Sequence, residues 1–250
     1  GTAANRNVAS GTWSSVLGGV KNTASGDSSV VCGGGVYDLP SGGISPNTAS
    51  GLSSFVGSGF GNTASGNACV VSGGVSNVAS GLYGTVVGGT YGTSRAITGN
   101  IVSPAANAPL GGSPVGTSQS ALLVLGVQTT DATATILRST TAAAGTTNQV
   151  ILPNNSAYYF KGSVIAGVTG AGNTKGWSIE GVIKRGANAA STALVGTPTV
   201  VSTFADAGAA TWAVTATADT TNGGLKITVT GQAATTIRWV CELDTTEMTF

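Results

Sequence analysis

Histidine is absent from the 250 residues. That removes the usual proton shuttle and excludes a Ser-His-Asp or Cys-His site within one chain. Charge is scarce: ten Lys and Arg stand against nine Asp and Glu, 8% of the chain, for a net charge of +1. So little charge exerts no long-range pull on nucleic acid or on an anionic membrane. No apolar run is long enough to span a bilayer, and no signal peptide is legible, so membrane insertion is not expected. Three cysteines, Cys32, Cys69 and Cys241, are too few and too far apart for a disulfide framework. They are expected as buried thiols in a protein folded in a reducing cytoplasm. The calcium-binding Gly-Gly-x-Gly-x-Asp repeat is missing. No metal, cofactor or catalytic residue is therefore expected.

What is present in excess is glycine, 40 residues, and it is periodic. The pentad Asn-Val/Thr-Ala-Ser-Gly begins at Asn7, Asn22, Asn47, Asn62 and Asn77. The unit is fifteen residues long, except that the unit from Asn22 runs ten residues longer, to Pro46. Ala stands third, Gly fifth, Val tenth and Gly thirteenth in every copy. A period of this size means stacked coils. Each coil is expected to have two short extended runs and two glycine corners, with Ala and Val facing a narrow interior. The Asn residues are expected to stack into a ladder of side-chain amides. Six coils, counting a degenerate one near Gly92, would rise roughly 30 Å at about 4.8 Å each. A coil of Ala, Val and Gly buries little area, so side-by-side association of three copies is expected.

The organisation reads as a repeat shaft over 1–95, a Gly/Pro-rich linker over 96–118 and a strand-rich domain over 119–250. Candidate strands in the last are 121–127, 133–138, 157–168, 177–184, 194–204, 211–217, 225–230 and 236–244, several alternating with period two. Asn222-Gly223-Gly224 marks a hairpin. The fold class is all-β: a parallel β-roll of fifteen-residue repeats followed by an antiparallel β-sandwich or jelly roll.

Two resemblances rest on these residues. The repeats from Asn22-Thr23-Ala24-Ser25-Gly26 through Val31 and Gly34 resemble the head repeats of trimeric autotransporter adhesins (YadA-like), which implies a left-handed, homotrimeric roll. Those heads usually have units one residue shorter. The segment Asn222–Gly231 with Thr236–Val240 and Thr245–Glu247 is similar to the terminal strands of bacteriophage tail-fibre and receptor-binding proteins. That resemblance implies a virion surface fibre, assembled in the host cytoplasm with other virion proteins, which attaches to a bacterial surface glycan or outer-membrane receptor.

Receptor contacts are sought in two places. The ten-residue insertion in the second unit carries Tyr37 and Asp38, suited to stacking on and hydrogen-bonding a sugar. The C-terminal domain carries Asn173, Lys175 and Trp177 near Tyr158 and Tyr159. Trp13 occupies a place held elsewhere by Ser28, Ser53, Ala68 and Tyr83, which points outward or to a subunit interface. Glycan cleavage needs two carboxylates across a cleft. Glu180 and Glu242 are expected instead as solvated strand positions beside Lys184 or Arg238. The expected function is thus attachment without catalysis. A trimeric adhesin head, a purely structural capsid or tail fibre, and, last, a tailspike depolymerase are the alternatives.

Overall fold

The computed structural model describes residues 5–38, 43–107, 109–110 and 115–250; the side chains of residues 36–38, 43 and 44 lie outside that description. The chain forms two compact units, Gly1–Ser120 and Ala121–Phe250. It is all-β, with helix among the described residues limited to short turns such as Ala189–Ser191 and Ala207–Ala209.

The first unit is a parallel β-solenoid of about six turns. One sheet stacks Val8–Ala9, Thr23–Ala24, Thr48–Ala49, Thr63–Ala64 and Val78–Ala79. The other stacks Ser15–Val16, Val30–Val31, Phe55–Val56, Val70–Val71, Thr85–Val86 and Ile101–Pro104. Backbone N–H groups of each coil donate to carbonyls of the next, as Thr48 does to Asn62 at 2.8 Å and Gly57 to Val71 at 2.9 Å. The interior matches the repeat: Ala24, Ala49, Ala64 and Ala79, with Val31, Val56, Val71 and Val86, are all 0% exposed.

Three expectations need correction. The Asn ladder is not amide on amide. Asn62 Oδ1 accepts the backbone N–H of Asn77 at 3.0 Å, while its Nδ2 donates to Ser58 O at 3.0 Å and Gly74 O at 2.8 Å. The same rung recurs at Asn22 and Asn47. Stacked side-chain amides would leave the Asn77 N–H and the Ser58 carbonyl without a partner, and this arrangement satisfies both. The fifth-place glycine is not a corner either. A Cβ on Gly51 would lie 2.0 Å from Gly66 O, so that place needs glycine for coil approach. The corner is turned two residues later by Trp13, Ser28, Ser53, Ala68 and Tyr83, with φ of 50–58°. The thirteenth-place glycine does both jobs: Gly59 has φ +94° and its Cβ would lie 2.0 Å from Gly74 O. Finally, Cys32 is half-buried, unlike the buried Cys69 and Cys241. It follows the inward Val31 and so faces out from the strand end.

Ile101–Pro104 falls within the stretch expected to be a linker and is a strand of the sixth coil. Pro104 is its last residue, where a missing N–H is tolerated. The Gln119 side chain mimics one more strand: Oε1 accepts Thr93 N–H at 2.9 Å and Nε2 donates to Thr93 O at 3.0 Å. The insertion is a hairpin in its described part, with Val36–Asp38 antiparallel to Gly43–Ser45.

The second unit has two sheets. In one, Ser156–Val168 lies between Ile237–Thr249 and Thr174–Arg185, antiparallel to both. The far edge of Thr174–Arg185 carries Ala193–Leu194 and Thr199–Ala205. The run expected as one strand over 194–204 is therefore two, broken at Gly196, whose φ is +75°. In the other sheet, Gly224–Thr230 pairs with Ala213–Asp219 on one side and with Thr135–Ile136 and Val150–Ile151 on the other. Three tryptophans fill the core: Trp177 stacks on Trp239 with centroids 5.6 Å apart, and Trp239 meets Trp212 at 5.9 Å. Two of the indole N–H groups find side-chain acceptors, Trp239 in Thr129 Oγ1 at 3.0 Å and Trp212 in Gln232 Oε1 at 3.2 Å.

The Asn222–Gly224 hairpin turns on Asp219. Its Oδ1 accepts the N–H groups of Thr221 and Asn222 at 3.0 Å each, and its Oδ2 accepts Asn222 Nδ2 at 2.8 Å. Burial raises this carboxyl, but the bonds from Asn222 and Thr221, with Lys226, outweigh it and hold the group below its ordinary value. A depressed carboxyl contributes stability above its unfolded pKa, about 3.9, and loses it as pH falls through the folded one. Acid titration followed by chemical denaturation should therefore show stability falling below about pH 4. Asp219→Asn should have a shallower acid limb, and an unchanged limb would remove Asp219 from the account.

Candidate functional site

The outer face of the first sheet in the second unit is organised by strand register. Ile165 stands opposite Gly176, and Gly176 opposite Phe204. A bulge follows, since Trp177 pairs with Ser202 and leaves Thr203 extra. Bulges of this kind re-aim side chains at sheet edges. The result is a groove of about 830 Å³. Phe204 and Ile165 form its walls at 78% and 58% exposure, and Trp177 and Val164 contribute from beneath. Gly176 keeps it open: a Cβ there would find its nearest neighbour, Val164 O, at 3.8 Å. Ser163, Ser178, Thr174, Thr203 and Asp206 add hydroxyls and one carboxylate.

The ionic groups at this groove already have protein partners. Lys175 is buried, donates to Trp212 O at 2.8 Å and Ala210 O at 3.3 Å, and lies 5.1 Å from the centre of the Trp177 ring. Asp206 Oδ2 accepts Thr174 N–H at 2.8 Å, which ties the end of the edge strand to the neighbouring hairpin.

Of the residues singled out from sequence, Lys175 and Trp177 line this groove. Asn173 is exposed in the adjoining hairpin, where its carbonyl accepts Val168 N–H at 3.0 Å and its amide covers Gly208. Trp177 is only 5% exposed because one face is spent on Trp239, and the Lys175 ammonium is held by carbonyls. Tyr158 is buried, while Tyr159 is 39% exposed. The backbone of Tyr37 and Asp38 sits in the insertion hairpin, and their side chains lie outside the described residues. Trp13 and Tyr83 do point outward, at 84% and 61% exposure. Sequence reasoning missed Phe204, Ile165 and Asp206.

A second, polar groove of about 360 Å³ adjoins the first and shares Ser163 and Ser178 with it. Glu180, Glu242 and Asp244 line it together with Lys161. Register gathers them: Lys161 faces Glu180 on one side and Asp244 on the other, and Ser163 faces Glu242. The expected partner of Glu180 is Lys184 or Arg238. Its partner is the Tyr159 hydroxyl, which donates to Oε1 from the diagonal position; that bond raises the tyrosine pKa. Beneath this face the Cys241 thiol is pushed up to about 12 by burial and by Glu242, so it stays protonated. Among the described residues no group of three His, Cys, Asp or Glu is placed to hold a metal ion, and no helix is long and apolar enough to cross a membrane.

No protein-family model matches the chain, and no curated protein does. Among solved structures it is similar to the tailspike protein gp49 of Acinetobacter baumannii bacteriophage Fri1, a capsular polysaccharide depolymerase. The identity is 9% over 89% of this chain and 47% of that one, with a TM-score of 0.30. It is also similar to the tailspike protein of Acinetobacter baumannii phage AM24, at 12% identity over 98% of this chain and 50% of that one, with a TM-score of 0.23. The chain spans about half the length of these proteins. Likeness at this level does not transfer an activity. It does correct the expectation of a chain without catalysis, since gp49 is itself an enzyme. The missing histidine is no argument against glycoside hydrolysis, which runs on carboxylates.

Proposed function

We propose that the chain is a host-attachment protein of a bacteriophage tail and that it binds a neutral bacterial surface polysaccharide in the groove walled by Phe204 and Ile165. The observation that carries this reading is the groove itself. It offers exposed apolar walls and several hydroxyls, while Lys175 and Asp206 are bonded within the protein. That chemistry suits the apolar face and hydroxyl rim of an uncharged sugar. In this reading the solenoid is an adhesin-like roll serving as shaft, and the C-terminal sheets form a sandwich-like tip. Three chains associate through outward apolar residues such as Phe55, Val70 and Leu17. Sedimentation of the folded protein should then give about three times the 24.1 kDa chain mass. A stable folded monomer at micromolar concentration would end the trimer proposal.

Phe204→Ala tests the groove. Phe204 is 78% exposed, so the fold should keep its thermal stability within a degree or two. Binding to host capsule should weaken about tenfold or more. Gly176→Leu, which fills the open floor, should do the same. Unchanged binding in both variants would place the receptor site elsewhere.

A second reading, glycan cleavage, is favoured by one observation: Glu180, Glu242 and Asp244 line a groove continuous with the first. Release of reducing ends from purified capsule, lost in Glu242→Gln with binding kept, would establish it.

A further inference from the structure

Gly176 forms the floor of the apolar groove, and nothing in the fold requires a glycine there. Its φ is not in the left-handed region, and a Cβ on it would find its nearest neighbour, Val164 O, at 3.8 Å. The extra residue of the adjacent bulge is Thr203, on the partner strand. Gly162 and Gly181 of the same sheet do have a packing reason. A Cβ on Gly162 would lie 2.2 Å from Glu242 O, and one on Gly181 would lie 2.7 Å from the Phe160 ring. Glycine weakens a strand interior, and where neither packing nor a bend demands it, it marks a place that a ligand approaches closely.

The missing side chain leaves a gap of defined width. Ile165 and Phe204 stand directly opposite Gly176 on the two flanking strands, so their backbones are two strand spacings apart, about 10 Å. Trp177 and Val164 line the gap from beneath. Ser163 and Ser178, opposed in register, stand at the next outward position along both strands. We propose that this gap takes a methyl group carried on a neutral sugar, either the acetyl methyl of an acetamido sugar or the terminal methyl of a 6-deoxy sugar. The inference rests on the glycan-binding reading and narrows its substrate class. A methyl replaces the absent side chain and meets apolar surface from Ile165 and Phe204. The rest of the sugar then lies within reach of the hydroxyls of Ser163, Ser178 and Thr203. A sugar hydroxyl or ammonium in the same gap would lose water without gaining a partner. The ionic groups at hand, Lys175 and Asp206, are already bonded within the protein.

The test measures binding of neutral capsular polysaccharides, some with and some without methyl-bearing sugars, to the full chain and to its Gly176→Ala and Phe204→Ala variants. Gly176→Ala places a methyl in open space, so its melting temperature should not fall. Polysaccharides with acetamido or 6-deoxy sugars should bind. Gly176→Ala should weaken them at least about tenfold, the scale of one methylene in an apolar pocket. De-N-acetylation, with re-N-acetylation as control, separates the two sources. Binding lost and then restored supports the acetyl methyl, and binding that survives supports the deoxy methyl. A neutral polysaccharide without either methyl that binds as tightly, with the same dependence on Phe204, overturns the inference and leaves the groove reading standing. Unweakened binding to Gly176→Ala overturns it too, as does a lowered melting temperature, which would make the glycine a requirement of the fold. Altered sedimentation of Gly176→Ala with unchanged glycan binding also overturns it, because a second copy then fills the gap. If nothing in the panel binds in a Phe204-dependent way, the groove reading and this inference fail together.

Discussion

Val56→Asp is expected to abolish the folded solenoid. Val56 is 0% exposed and lies in line with Val31 and Val71 through the register of three neighbouring coils. A carboxylate there has no cation among the described residues of the neighbouring coils' interior, where Ala, Val, Ser, Cys and Asn face inward. An unpaired buried charge costs about 3–5 kcal/mol or more, comparable with the whole stability of a small domain. In a trimer the cost is met in every subunit. Circular dichroism melts and sedimentation should show loss of the cooperative β transition or aggregation. A mutant with wild-type melting would mean that the valine row does not face inward.

The second large effect is expected at Asn62. Its side chain makes three hydrogen bonds to backbone groups, on Asn77, Ser58 and Gly74, and is itself 0% exposed. Asn62→Leu keeps the approximate size and orphans two of the three, the Asn77 N–H and the Ser58 carbonyl, while Gly74 O keeps the Phe60 N–H at 3.2 Å. At about 1–3 kcal/mol for each of the two unsatisfied groups, the loss is on the order of 2–6 kcal/mol. Asn62→Asp should do no better, because a carboxylate cannot donate to the two carbonyls. Asn7→Leu is the internal control. Asn7 bonds Gly19 O and Asn22 N–H but is half-buried, so its loss should cost clearly less. Equal costs at the two positions would show that the rungs are not what holds neighbouring coils together.

The interior of the solenoid was legible in sequence because small residues at fixed places admit one packing. Ala third and Val tenth leave no other way to close so narrow a coil. The corner was not legible. Trp13, Ser28, Ser53, Ala68 and Tyr83 share a left-handed backbone but no side-chain chemistry, so nothing in their identities marks the turn. The Asn rung was half legible: its place was plain, but its partners are backbone atoms, which carry no sequence identity. The same limit hid the role of Lys175, whose acceptors are the carbonyls of Ala210 and Trp212.

The candidate site shows a similar division. Asn173–Trp177 stood out because aromatic and amide groups sat beside a turn. Phe204 did not, since it closes an apolar run that reads as core. The weak alternation of Val200-Val201-Ser202-Thr203-Phe204-Ala205 was the available signal of an edge strand with a bulge. The three carboxylates looked scattered because Glu180 and Glu242 are brought together only by the shared pairing of Ser156–Val168 with both of their strands.

The stacking of the solenoid also decides how it yields under load. Coils are joined to their neighbours by a few backbone bonds each, so tension applied at Asn5 peels them singly instead of shearing the whole unit. Each coil of the regular register, offset by fifteen residues as Thr63 is from Val78, releases about 50 Å of extended chain as it comes away. It gives up only about 4.8 Å of axial height. The coil that holds the insertion, offset by twenty-five residues between Thr23 and Thr48, releases about 85 Å. A solenoid pulled in this way would lengthen in discrete steps, with one long step near the start, and would dissipate work at each one.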